Sequence, residues 1–233
     1  MTTKQKIVAL LPMKANSERV KGKNFRPFNS KPLFRWILDT LLSIDEIDSV
    51  VINTDARSIL AENGLTDRPR VIVRDRKPEI CGDMVSMNLV LADDVANVPA
   101  DTYIMTHTTN PLLSAESVRN ALTRYNTAVA ANECDSLFTV NRFQTRFYRE
   151  DGSAVNHDPD NLVRTQDLEP WYEENSNLYI FSADSFATTG ARIGRRPVMF
   201  EPPRLESFDI DDQTDWDMAE LVCRYMIDKG LKA

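Results

Sequence analysis

The chain has 233 residues, 42% hydrophobic and 27% charged, with 35 acidic against 28 basic residues for a formal net charge of -7. A chain of this length buries about 70–75% of its unfolded surface, so its core needs neither disulfides nor a structural metal. Three scattered cysteines with no C-x-x-C pair, and only two histidines, argue against a zinc cluster and fit a reducing cytoplasm. No apolar run approaches the ~20 residues of a membrane-spanning helix. The seven glycines contain no G-x-G, which excludes the dinucleotide fingerprint and the Walker A loop.

In chain order, Ile7-Val-Ala-Leu-Leu11 reads as a strand buried on both faces. A basic loop follows, then a helix over Pro32 to Ser43 whose stripe is Leu33, Trp36, Ile37, Thr40 and Leu41. Ser49 to Thr54 reads as a strand, followed by a short helix stopping at Asn63-Gly64. Arg70 to Arg74 is a third strand, Ser86 to Val95 a helix, and Thr102 to Thr106 a strand. Ser114 caps a helix reaching about Tyr125, and Asp135 to Asn141 is again a strand. Residues 142 to about 177 are polar and aromatic with few helix signals, and read as an arm inserted in a single domain covering 1–233. Leu178 to Phe181 and Pro197 to Phe200 resume the strands. A last helix over Thr214 to Asp228 presents Trp216, Ala219, Cys223, Met226 and Ile227 as its apolar face. This alternation predicts a layered, Rossmann-like α/β fold whose ligands sit at strand C-termini.

Charge is unevenly spread. Lys14 to Arg35 holds seven basic residues and one acid, Glu18, so this block is +6 and the remainder -13. A basic loop at a strand's C-terminal end suits capture of a small polyanion through phosphates, and equally suits a solvated surface loop. Because the whole chain is acidic, a nucleic-acid partner is not expected. Glu201 to Glu220 holds eight acids and one base. Asp209 and Asp211 share a face if the chain there is extended, which suits Mg²⁺. Acids near a helix start, Asp212 and Asp215 above all, also serve as caps. Together the two regions suggest a nucleoside triphosphate held between cations and a carboxylate-bound metal.

Four stretches in order carry a resemblance. Leu11-Pro-Met-Lys-Ala-Asn-Ser-Glu-Arg-Val-Lys-Gly-Lys-Asn24 resembles the P-A-R-x-x-S-x-x-x-x-x-K-N loop of the acylneuraminate cytidylyltransferases (CMP-sialic acid synthetases). Thr108-Thr-Asn-Pro-Leu112 is similar to their P-T-S-P-L element. Arg164-Thr-Gln-Asp-Leu168 with Tyr172 and Asn175 resembles their sugar-side segment, and Phe208-Asp-Ile-Asp211 their D-x-D. The resemblance implies a mostly parallel nucleotidyltransferase sheet and a cytoplasmic homodimer joined through the arm. The implied reaction makes a CMP-sugar and pyrophosphate from CTP and an acidic nine-carbon 2-keto sugar.

By position, the resemblance puts Lys14, Ser17, Arg19, Lys23, Asn24, Cys81, Ser86 and Thr109 on the nucleotide. It puts His107, Arg164, Gln166 and Tyr179 on the sugar and Asp209 and Asp211 on Mg²⁺, with Lys14, Lys23 and Asp211 as the catalytic set. The chain departs from the pattern at Lys14 (arginine in the family), Glu18 (often lysine), His107 (glutamine) and Asn110 (serine). A lysine keeps the charge of arginine and loses its bidentate fork. A Kdo-type nucleotidyltransferase and a nucleotide-binding relative without turnover remain as alternatives. Smaller signals read structurally: Arg142, Gln144 and Arg146 as one side of a half-exposed strand, Trp171 and Tyr172 as interface aromatics, and the three cysteines as packing.

Overall fold

A computed structural model describes residues 5–17 and 19–232; the Glu18 departure lies outside the described residues. The elements are β1 (Ile7–Leu10), β2 (Pro27–Phe28), β3 (Lys31–Pro32), α1 (Leu33–Leu42), β4 (Ser49–Thr54), α2 (Arg57–Glu62) and β5 (Val71–Asp75). They continue as α3 (Met87–Asn97), β6 (Thr102–Met105), α4 (Ala115–Ala130), β7 (Ser136–Phe143), β8 (Trp171–Ser182), α5 (Ala183–Thr189), β9 (Pro197–Phe200) and α6 (Gln213–Asp228).

Seven strands form one sheet in the order β5-β4-β1-β6-β8-β7-β9. β5, β4, β1 and β6 are mutually parallel, β8 runs antiparallel to both β6 and β7, and β9 is parallel to β7. The expected mostly parallel α/β sheet is therefore present. One face is covered by α1 and α4, where Phe34, Ile37, Leu38 and Val118 meet Ala9, Val50 and Ile104. On the other, Leu91 of α3 and Phe186 of α5 pack on Val8, Val51, Tyr103 and Phe181. Strands buried on both faces read as continuous apolar runs, which is why β1 and β4 are so plain in the sequence.

The terminal helix α6 joins the basic loop to this core. Trp216 meets Phe28 edge-on with ring centroids 5.4 Å apart, and Phe28 does the same to Trp36 at 6.0 Å. Arg26 stands 4.3 Å over the Trp216 ring and Lys31 4.4 Å over Trp36. These two cations, together with Arg35 bonded to the carbonyls of Asn63 and Gly64, brace the loop. The caps are as expected at Ser114 and Gly64 (φ 71°), and Ser86 caps α3, its hydroxyl accepting from the Asn88 N–H. Asp212 and Asp215 form a reciprocal capping box at the start of α6.

Several expectations need correction. Ile227 is 40% exposed and does not share the apolar face of α6. α4 runs five residues beyond Tyr125, to Ala130. The α5 helix and the β2–β3 pair carry too few residues to show a period. The arm begins and ends inside the sheet: β7 pairs with β8 down to Phe143 opposite Trp171, so the chain leaves the sheet only over 144–170 rather than 142–177, with a short 3-10 turn at Thr165–Asp167. The polar run Trp171-Tyr-Glu-Glu is exposed on its strand, so it lacks the apolar alternation that marks one. Beyond Phe143 the expected strand stops. Phe147 instead stacks on Trp171 at 5.4 Å, and Gln144 donates to the carbonyls of Gln166 and Leu168.

Candidate active site

The C-terminal ends of β1, β5 and β6 open on a cleft of about 330 Å³. Its basic wall is the loop after β1, which is closed on itself rather than loose. The Asn24 side-chain amide donates to the Lys14 carbonyl at 2.8 Å, and the Thr108 hydroxyl donates to Asn24 Oδ1 at 2.6 Å. Gly22 takes a left-handed turn (φ 63°) between them. Lys14, Ser17, Arg19, Lys23 and Asn24 all line the cleft from this loop, and His107 and Thr109 line it from the end of β6. The basic block thus divides by use: Lys14, Arg19 and Lys23 face the cleft, while Arg26, Lys31 and Arg35 hold the loop in place.

Each cleft cation is set against an acid or a carbonyl. Lys14 pairs with Asp83 at 2.6 Å and Arg19 with Asp211 at 2.8 Å. Lys23 is buried and donates to the Ile210 carbonyl, between the two aspartates. Burial pushes the Lys23 ammonium below its ordinary value, while Asp211 and Asp209 pull it back up. Asp209 is the mirror case. Burial lifts its carboxyl above the usual aspartate range against a Thr109 hydrogen bond, and Oδ1 is buried without a partner. Asp211 is half-exposed at the cleft edge, its backbone N–H bonded to Asp215.

Among the described residues no three His, Cys, Asp or Glu side chains converge as a metal cage. A buried carboxylate oxygen without a partner, next but one to a second carboxylate, is the chemistry of a Mg²⁺ held partly by protein and partly by substrate phosphates. The donor set fits that ion.

His107 lines the cleft within the field of two cations. Burial, with the charges of Arg192 and Lys23, pushes its imidazole down to about 3, so the ring is neutral in the cleft. The unfolded chain, with an ordinary histidine value, binds the proton first, so stability is lost as pH falls below about 6.5. We predict that His107→Gln flattens acid destabilisation between pH 6.5 and 4, by up to about 1.4 kcal/mol per pH unit. Parallel melting curves of the two proteins check this; identical pH slopes would refute it.

Some site residues were not foreseen. Arg76 lines the cleft almost fully buried, donating from Nε to Asn53 Oδ1 at 3.0 Å and from Nη2 to the carbonyls of Asn53 and Met13 at 2.8 and 3.2 Å. Its signal was available: it follows the end of a parallel strand. Asn16, Asp83 and Met87 line the cleft as well. Cys81 and Ser86 are occupied elsewhere, the thiol turned to the Lys77 carbonyl and the hydroxyl capping α3. Arg164 is exposed on the arm and paired with Asp167 at 2.7 Å; Gln166 is exposed on the same segment, and neither lines this cleft. Tyr179 is buried in β8 with its hydroxyl donated to Glu174.

A family model described as cytidylyltransferase matches residues 8–228. The chain belongs to the cytidylyltransferase family. It is 22% identical to an N-acylneuraminate cytidylyltransferase of Streptococcus agalactiae over 91% of this chain and 52% of that one, spanning about half its length. It is 23% identical to a CMP-N,N'-diacetyllegionaminic acid synthase of Legionella pneumophila over 92% and 95% of the two chains. A solved CMP:2-keto-3-deoxy-manno-octonic acid synthetase complexed with CTP shares the fold, with TM-score 0.65 at 14% identity over 94% of this chain and 99% of that one. Among the described residues no helix is long and apolar enough to cross a membrane.

Proposed function

We propose that this cytidylyltransferase joins CMP to a nonulosonic acid, a nine-carbon 2-keto sugar acid, and releases pyrophosphate. The observation that carries this reading is the cleft itself: three cations of one closed loop line it, two of them bonded to the Asp209–Asp211 segment, Arg19 to the Asp211 carboxylate and Lys23 to the Ile210 carbonyl. The CTP triphosphate lies along Lys14, Arg19 and Lys23. The sugar's anomeric hydroxyl attacks the α-phosphorus in line, forming the new P–O bond as the bond to the β-phosphate oxygen breaks. Lys23 and Arg19 offset the charge that builds on the α-phosphate, and a fixed, partly buried site makes them count for more than they would in water. Asp209 and Asp211 would hold Mg²⁺, which when bound supplies Lewis-acid stabilisation of the phosphate oxygens. The backbone of 81–86 reads the base beside Arg76.

The exposed arm, with Trp171 41% and Tyr172 45% accessible, is the natural contact for a second copy in a homodimer. Arg164 and Gln166 would then reach the partner's sugar site. A cytoplasmic setting supplies CTP. The Kdo-type alternative keeps its place because the solved synthetase for that octonic acid overlays nearly the whole chain.

Pyrophosphate release from CTP with Mg²⁺ and a panel of nonulosonic acids and Kdo, with products identified by mass, tests the reading. A CMP-linked nonulosonic acid is expected. Release with Kdo alone moves the assignment to the octonic acid, and preference for another nucleotide refutes it.

A further inference from the structure

Behind the cleft, on the face of the sheet that α3 covers, lies a buried charged group that the reaction above does not use. β4 and β5 pair with Asn53 opposite Arg74. Asn53 follows Val51 by two residues and so shares the face on which Leu91 of α3 packs. Further along α3, Asp93 and Asp94 are buried against the same face. Arg74 spans the two carboxylates, donating to Asp94 Oδ1 and standing 2.8 Å from Asp93 Oδ2, while Lys77 pairs with Asp93 at 2.7 Å. Asp94 is fully buried, and its Oδ2 has no partner. Burial lifts its carboxyl to about 6, against the bonds from Asn53 and Arg74. The unfolded chain, with an ordinary aspartate value, gives up that proton first, so the fold loses stability as pH rises through this window. An apolar side chain of similar size would pack there without that cost. A carboxylate kept at such a place points to a task other than stability.

The task is visible in the bonds of Asn53. Its Nδ2 donates to Asp94 Oδ1 at 2.8 Å, and its Oδ1 accepts from Arg76 Nε at 3.0 Å. An amide has one donating and one accepting end, whereas a carboxylate only accepts and a guanidinium only donates. With Asp94 on one side, the amide stands in the one orientation that offers Oδ1 to Arg76. Turned about, it would set N–H against N–H and oxygen against oxygen. Arg76 Nη2 is held as well, by the carbonyls of Asn53 at 2.8 Å and Met13 at 3.2 Å. Nε and Nη2 are thus committed to the protein. Among the described residues nothing takes Nη1, the end left for a ligand in the cleft that Arg76 lines.

We infer that Asp94, acting through the Asn53 amide, is a positioning residue for the nucleotide: it fixes Arg76 in the orientation that meets CTP. The inference rests on the CTP reading above and adds to it a group that never touches the substrate. A side chain held in its bonding geometry before the ligand arrives saves an ordering cost, which for one long side chain amounts to about three- to tenfold in affinity.

The test uses the full chain with Mg²⁺, CTP binding by calorimetry, and turnover with the sugar acid that supports pyrophosphate release. Asp94→Leu removes the acceptor and keeps the volume, and Arg74 retains Asp93 as a partner. Its Kd for CTP should rise about three- to tenfold, with kcat at saturating CTP within about twofold of wild type. Asp94→Asn keeps an accepting oxygen toward Asn53 and should recover most of that loss. Asn53→Ala breaks the link from the other end and should match Asp94→Leu, and it carries the test should the leucine variant not fold. Arg76→Met should weaken CTP binding by itself, and either change added to it should cost less than about twofold more. A merely structural role would add its full effect in that background, and would lower the active fraction rather than the affinity. An unchanged Kd in either folded variant, additivity with Arg76→Met, or an asparagine no better than leucine overturns the inference and leaves the cytidylyl reaction standing. A wild type that binds no CTP overturns both.

Discussion

Replacing Asp211 by alanine should lower CTP-dependent pyrophosphate release about 10²–10³-fold while the protein still melts as wild type. The side chain is 48% exposed and its ion-pair partner Arg19 is 64% exposed, so water can take over both charges. Its contribution to the helix cap is made by its backbone N–H, bonded to Asp215, which alanine keeps. Asp209→Asn should give a similar loss of rate without loss of stability. In the folded protein Asp209 ionises above the ordinary aspartate range, chiefly through burial, so its ionisation costs stability as pH rises through that window. An asparagine carries no charge to desolvate, and its melting temperature near neutral pH should be unchanged or higher. Mg²⁺ added with CTP should raise the melting temperature of wild type and not of either variant. Wild-type turnover in a folded Asp211→Ala protein, or the same Mg²⁺ response in all three, would remove these aspartates from the metal site.

Lys23→Met should cost about 10²-fold in kcat/KM for CTP and, unlike the aspartate changes, some stability as well. Its ammonium is bonded to the Ile210 carbonyl between the two aspartates and feels the charge of both, so the same group serves the phosphates and holds the acidic segment against the loop. Methionine preserves most of the packing and removes the charge, leaving Asp209 and Asp211 facing each other without it. The pH dependence follows from the direction of the Lys23 shift. Burial lowers its value, so the positive charge is lost at a lower pH than for a free lysine, and alkaline loss of activity should begin earlier. Arg19→Lys, which keeps a cation at a largely exposed position beside Asp211, should leave that alkaline limb in place. An alkaline limb identical in wild type and Lys23→Met at matched saturation would show that Lys23 does not meet the substrate charge.

Much of the fold is legible in the chain because its physics is local. Ile7 to Leu10 and Val50 to Ile52 are continuous apolar runs, and Ser86, Ser114 and Gly64 mark helix ends by the bonds and backbone angles they permit. The same holds for the basic loop and the Asp209–Asp211 spacing, where charge and register are read directly. The arm is harder: Trp171 to Glu174 is exposed at every position, so no apolar alternation marks it, and pairing with β7 makes it a strand.

The alternation of the long strands and helices, the cytidylyltransferase family and the basic loop after β1 were determined by the sequence alone, since each follows from pattern and spacing along the chain. Tertiary structure decided what each charge is for. It turned Lys14, Arg19 and Lys23 into the cleft and set Arg26 and Lys31 on tryptophan rings. It also brought in Arg76. A lysine or arginine reads the same in sequence whether it meets solvent, an aromatic face or a phosphate. Burial and the neighbours that supply it come from residues far along the chain, and only the folded packing sets them.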